Sequence, residues 1–204
     1  MDESRPTHCS WRRLPQAALI VSFLALSWLG MMIVHELGHV VGAAATGGRV
    51  SKVVLHPLAI SRTDLSHNPQ PLVVTWAGPV FGVLAPILAW TFAASMRSFE
   101  PRLWRFFAGF CLIANGAYLA FGSVEGVGDA GDLLQHGAAA WQLWAFGAIA
   151  IPLGLLAWHK TGQSFGLGGR NGEVSLRATC VSMILLCIIL AVEVSMGGEW
   201  NATE

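Results

Sequence analysis

Apolar residues fill five long windows of this chain, and the polar residues gather between them. The first window starts at about Leu14, runs to Val34 without a charge and continues through His35 to Ala45, where Gly47 and Gly48 supply a helix stop. The others extend approximately from Leu72 to Met96, Leu103 to Phe121, Ala138 to Trp158 and Ala178 to Met196. A hydrocarbon core about 30 Å thick is crossed by roughly 20 apolar residues wound as a helix, so each window has spanning length. The pattern predicts an all-α, polytopic membrane protein with about five transmembrane helices. It forms one domain over residues 1–204, with a short N-terminal tail at 1–13. A secretory leader is the competing reading of the first window, because Arg12 and Arg13 precede it and Ala43-Ala44-Ala45 resembles a cleavage site. That window is too long for a leader's apolar core, and four further windows need a membrane in any case.

Composition agrees with a membrane chain: 54% of the residues are hydrophobic and 12% charged, against roughly a quarter charged in soluble proteins. The formal net charge is zero and no Lys/Arg block interleaved with aromatics occurs, which sets nucleic acid aside as a partner. Cys9, Cys111, Cys180 and Cys187 form no CxxC pair, so they read as packing residues, not a zinc knuckle or disulfide framework. If the connections are assigned to alternate sides, nine Lys and Arg residues fall with the N-terminus and Arg49, Lys52 and Arg62 fall opposite. This predicts a cytoplasmic N-terminus, in the cell membrane if the chain is prokaryotic. The connection from Gly47 to Pro71 and the acidic loop from Gly122 to Gly137 then share the other face. Most tryptophans, Trp104, Trp141 and Trp158 among them, fall near window ends, where aromatic belts form.

That shared face carries the chemistry. His35-Glu36-Leu37-Gly38-His39 is an HExxH sequence near the end of the first window. On a helix, positions i and i+4 share a face, so both imidazoles reach one ion. Zinc suits two nitrogens, and its catalytic sites take three protein ligands and leave one position to water. Glu36 would stand beside that water as general base. Ionisable residues inside an apolar segment cost several kcal/mol unless paired or metal-bound, which weighs against chance placement. The third ligand must come from elsewhere, and Glu125, Asp129 and Asp132 of the acidic loop are the candidates. Either aspartate would complete a site for one Zn2+ per chain, with an Asp helix cap as the plain alternative for each.

On three stretches taken in order the chain resembles the site-2 protease family of intramembrane zinc metalloproteases. They are His35 to His39 with its tail Val40-Val41-Gly42-Ala43, then Trp76-Ala77-Gly78-Pro79, then Gly128-Asp129-Ala130-Gly131-Asp132. The resemblance implies a three-helix catalytic core, here within 14–134, with accessory helices over 135–204. It implies Asp129 as third ligand, with Asp132 as the alternative, and a membrane-protein or transmembrane-peptide substrate. It also implies a short re-entrant β-hairpin after the first helix, for which Val50, Val53, Val54 and Leu55 are available, offering an edge for an unfolded substrate. The family's Gly-Pro motif usually carries an Asn three residues beyond the Pro, where this chain has Gly82, and its Asn-Pro pattern before the ligand Asp is absent. Asn115 is the candidate for the missing polar group.

Other motifs carry less. Gly162 to Gly172 lacks a phosphate-loop pattern and reads as a mobile loop. Ser123 with His136 or His159 has no nucleophile-elbow context, and the sequon at Asn201-Ala202-Thr203 reads as accidental. The rival to a protease is an inactive metal-binding protein that binds transmembrane partners, or a metal-transport or scaffold module. An inactive member has no need of Glu36, and a transporter wants more polar groups along a path than Asn115, Tyr118 and Glu193.

Overall fold

Pro15 in the first turn and Gly47 past the last one bracket a single helix, α1 (Leu14–Thr46). Proline costs nothing in the first turn, where its missing N–H would lack a partner anyway. Gly47 takes φ 77° and returns its N–H to the Ala43 carbonyl, the left-handed cap that glycine adopts without strain. The 33 residues of α1 make a rod about 50 Å long, so it outruns the hydrocarbon thickness and carries the HExxH sequence about three turns before its end. This computed structural model describes residues 13–96, 100–168 and 173–197. The tail with Cys9, together with Arg97, Arg170 and the 201–203 sequon, lies outside the described residues.

After the Gly47-Gly48 corner the chain forms an antiparallel hairpin, β1 (Arg49–Val54) and β2 (Arg62–His67), with Val53 opposite Thr63. The expected extended stretch is therefore present, and its partner is the polar segment Arg62–His67. Helices α2 (Pro71–Ser95) and α3 (Pro101–Glu125) follow, each with a proline in its first turn. A short helix, α4 (Gly128–Gln135), comes next, then α5 (Ala140–Trp158), a 3-10 turn at Thr161–Phe165, and α6 (Leu176–Gly197). The 122–137 segment read as an acidic loop is thus mostly helical, because α3 continues to Glu125 and α4 begins two residues after its Gly126 cap. Helices α1, α2, α3, α5 and α6 have the length and apolarity to cross a membrane. The fold is an all-α, multi-pass architecture with one small two-stranded sheet.

Small residues let the helices approach closely. Gly38 and Gly42 of α1 face Ala77 and Gly78 of α2, and a Cβ added at Gly42 would lie 2.6 Å from that of Ala77. With no hydrophobic drive between helices in lipid, such close contact is what holds them together. Buried apolar residues form separate clusters. Leu19, Leu103, Phe165 and Ala178 pack together where α1, α3 and α6 begin, while Leu119, Ala130, Leu133 and Leu143 pack α4 between α3 and α5. The second cluster anchors α4 beside the HExxH turn. Elsewhere large apolar side chains face outward, such as Leu88 and Phe92 on α2 and Ile184 and Ile188 on α6, as expected of helices solvated by lipid.

Candidate metal centre

His35 and His39 lie one turn apart on the buried face of α1, each 7% exposed, with Glu36 at 3%. On α2 a glycine permits the close approach: a Cβ at Gly78 would overlap the His39 imidazole. The Trp76-Ala77-Gly78-Pro79 stretch therefore serves as the wall against which His39 lies. Asp129, the second residue of α4, enters from the other side. Its Oδ2 is 2.8 Å from His35 Nε2 and 3.2 Å from His39 Nε2, and the two Nε2 atoms are 3.1 Å apart. Ligand atoms around a tetrahedral zinc with bonds of about 2.0–2.1 Å stand roughly 3.3 Å from one another, so these separations suit one ion.

The outer nitrogens settle which atoms are offered. His39 Nδ1 lies 2.9 Å from the Val74 carbonyl, which only accepts, so Nδ1 carries the hydrogen. His35 Nδ1 is 2.7 Å from Asn115 Oδ1, and Asn115 is oriented by its amide nitrogen donating to the Cys111 carbonyl at 2.8 Å. Both neutral imidazoles therefore point an unprotonated Nε2 at the same place as a carboxylate oxygen. Two lone pairs and a negative oxygen converge with no hydrogen among them. A cation satisfies all three, and the outer bonds fix each ring in the ligating tautomer. His35, His39 and Asp129 are a group that could hold a metal ion.

The other loop candidates fall elsewhere. Asp132 is exposed at the cavity rim, where its backbone carbonyl accepts from His136, and Glu125 is exposed at the end of α3. The hairpin reaches in from above, and Thr63 donates to Glu36 Oε2 at 2.7 Å. Glu36 Oε1 is the oxygen left for the cavity that Glu36 lines. This cavity, about 790 Å³, runs from Trp28 and Met32 on α1 past the histidines to Thr63 and Asn68. Trp28 thus lines the cavity. Tyr118 of α3 lies against His35, and its hydroxyl accepts the Asp129 N–H at 3.1 Å.

Gly82 has a purpose of its own. A Cβ there would come within 2.7 Å of Asn115 Oδ1, so the position that the resemblance fills with Asn is vacated, and the amide of Asn115 occupies the space from α3. Sequence reasoning had no means of finding Thr63 or the Val74 carbonyl, since neither carries a motif. Tyr118 was visible only as a polar group in an apolar window.

A family model described as Peptidase M50B-like matches residues 16–124. No curated protein and no solved structure matches the chain. The matched span contains the HExxH turn, the glycine wall on α2, Asn115 and Tyr118, and it stops five residues before Asp129. The chain belongs to the Peptidase M50B-like family, the site-2 protease type of multi-pass membrane metallopeptidase.

Proposed function

We propose that this protein is a zinc metalloendopeptidase of the membrane, hydrolysing peptide bonds of membrane-embedded or membrane-adjacent segments. One Zn2+ per chain is held by His35, His39 and Asp129. The observation that supports this reading is the convergence of two unprotonated imidazole nitrogens and a carboxylate oxygen beside a buried glutamate. When bound, zinc supplies a water whose pKa falls to about 7 and a Lewis acid for the carbonyl.

The chain's own residues do the rest. Glu36 accepts a proton from the attacking water on Oε1 and delivers it to the leaving amine nitrogen, while Thr63 holds Oε2 and so fixes the direction in which Oε1 points. A helical substrate hides its carbonyls in hydrogen bonds, so a segment must unwind to react. The free edge of β2, next to the strand position of Thr63, is available to pair with such a segment and present its carbonyl. A non-catalytic metal protein would have no use for a buried carboxylate held by the hairpin beside the ligands, which favours the enzyme over the inactive reading. The Lys and Arg count further supports a cytoplasmic N-terminus, with the hairpin and α4 on the opposite face.

The test is zinc content per chain in the purified full-length protein, with folding followed by size-exclusion elution. Wild type is expected to hold about one zinc, His35→Ala and Asp129→Asn to lose it, and Asp132→Asn to keep it. Glu36→Gln is expected to keep zinc and lose cleavage. A well-folded wild type without any transition metal ends the hydrolase reading, and turnover by Glu36→Gln ends the base assignment.

A further inference from the structure

As water adds to a peptide carbonyl, its oxygen becomes negative, and a fixed donor aimed at that oxygen is worth about 10²–10³ in kcat. Two of the polar side chains nearest the metal centre already commit a hydrogen to the protein itself, Thr63 its only one and Asn115 one of its two amide hydrogens. Thr63 gives its hydroxyl hydrogen to Glu36, and Asn115 gives an amide hydrogen to Cys111 while its oxygen holds His35. Tyr118 differs from both. Its oxygen accepts from the Asp129 N–H, and among the described residues the phenol makes no other hydrogen bond, so its own hydrogen is left for the cavity it lines.

Tyr118 is also held in place. It lies three residues beyond Asn115 on one face of α3, with its ring edge-on to His35 at a centroid distance of 5.8 Å. At Gly128, with φ 56°, a Cβ would overlap the Tyr118 hydroxyl. The first residue of α4 thus makes the room in which the phenol sits, and the second residue supplies both the metal-facing carboxylate and the N–H that orients the phenol.

We infer that Tyr118 is a catalytic residue that donates its phenolic hydrogen bond to the developing oxyanion of the scissile carbonyl. The inference rests on the protease reading above. No proton leaves the phenol: the hydrogen bond tightens as charge builds on the carbonyl oxygen and relaxes when the C–N bond breaks and the carbonyl re-forms.

The experiment compares full-length wild type with Tyr118→Phe in detergent, using a quenched-fluorescent transmembrane peptide with a Gly-Pro break as substrate. N-phosphoryl-Leu-Trp serves as tetrahedral oxyanion mimic. The variant is expected to keep wild-type zinc and a KM within about twofold, to lose about 10²–10³ in kcat, and to bind the mimic more weakly by a similar factor. A residue that merely steadies Asp129 would lower zinc content instead, and that result overturns the inference, as does an unchanged kcat.

Because Tyr118 is the single tyrosine of the chain, growth on 3-fluorotyrosine labels this position alone and needs no substitution. Its fluorine resonance is expected to shift in step with saturation by the mimic, and a resonance that stays fixed while the mimic binds overturns the inference. Failure of the wild type to cleave removes the protease reading and this assignment together; an active wild type beside an equally active Tyr118→Phe removes the assignment alone.

Discussion

Replacing Asn115 with Ala removes the acceptor of the His35 Nδ1 hydrogen, 2.7 Å away and fully buried. The imidazole then has two poor choices. It can keep its hydrogen on Nδ1 without a partner, at a cost of about 1–3 kcal/mol, or move it to Nε2 and cease to be a ligand. Either way the loss falls on metal binding, and zinc affinity is expected to drop about 10- to 100-fold, which is about 1.4–2.8 kcal/mol. The assay is competitive chelator titration of the purified full-length protein. Gly82 sharpens the prediction, because a Cβ at that position must displace the same amide. Gly82→Ala should therefore weaken zinc in the wild type, yet do little once Asn115 is Ala and the space is empty. The two substitutions would show coupling of the size seen for residues in contact, about 0.5–3 kcal/mol. Strict additivity, or wild-type affinity in Asn115→Ala, would refute the argument that this amide fixes the His35 tautomer.

Two further outcomes follow from the same geometry. Thr63→Val removes a hydrogen bond to a carboxylate, a class worth about 1.5–3 kcal/mol; zinc should stay while kcat falls about tenfold or more, and an unchanged kcat would show that the hairpin does not orient Glu36. Gly38→Val drives a branched side chain into the Ala77 carbonyl and Phe81. Overpacking of this kind costs about 1–3 kcal/mol, and a lower thermal midpoint in detergent with reduced zinc content is the expected reading, since α2 also carries the glycine that admits His39.

The five spans were legible because apolar length is measured against a bilayer of known thickness and needs no tertiary partner. The pairing of His35 with His39 was legible for a similar reason, as four residues on a helix bring side chains to one face whatever the surroundings. Even the shared face of the HExxH turn and the 122–137 segment followed from counting crossings. The choice among Glu125, Asp129 and Asp132 did not. It depends on α3 stopping at Gly126 and α4 starting at Gly128, two left-handed glycines that turn the chain so that Asp129 meets the histidines. Asp132, three residues further along α4 and so about 4.5 Å up the helix axis, reaches only the rim.

The chain by itself therefore determined the number of spans, the metal-binding turn and the chemistry of its donors, since each depends on local composition or helical repeat. Tertiary structure decided the third donor, the partners of the outer nitrogens and the support of Glu36. Asn115 meets His35 across 80 residues, Asp129 meets it across 94, and Thr63 meets Glu36 across 27. No local periodicity encodes such meetings; they exist only because Gly38, Gly42, Gly78 and Gly82 let three helices come close enough for side chains from each to share one small space.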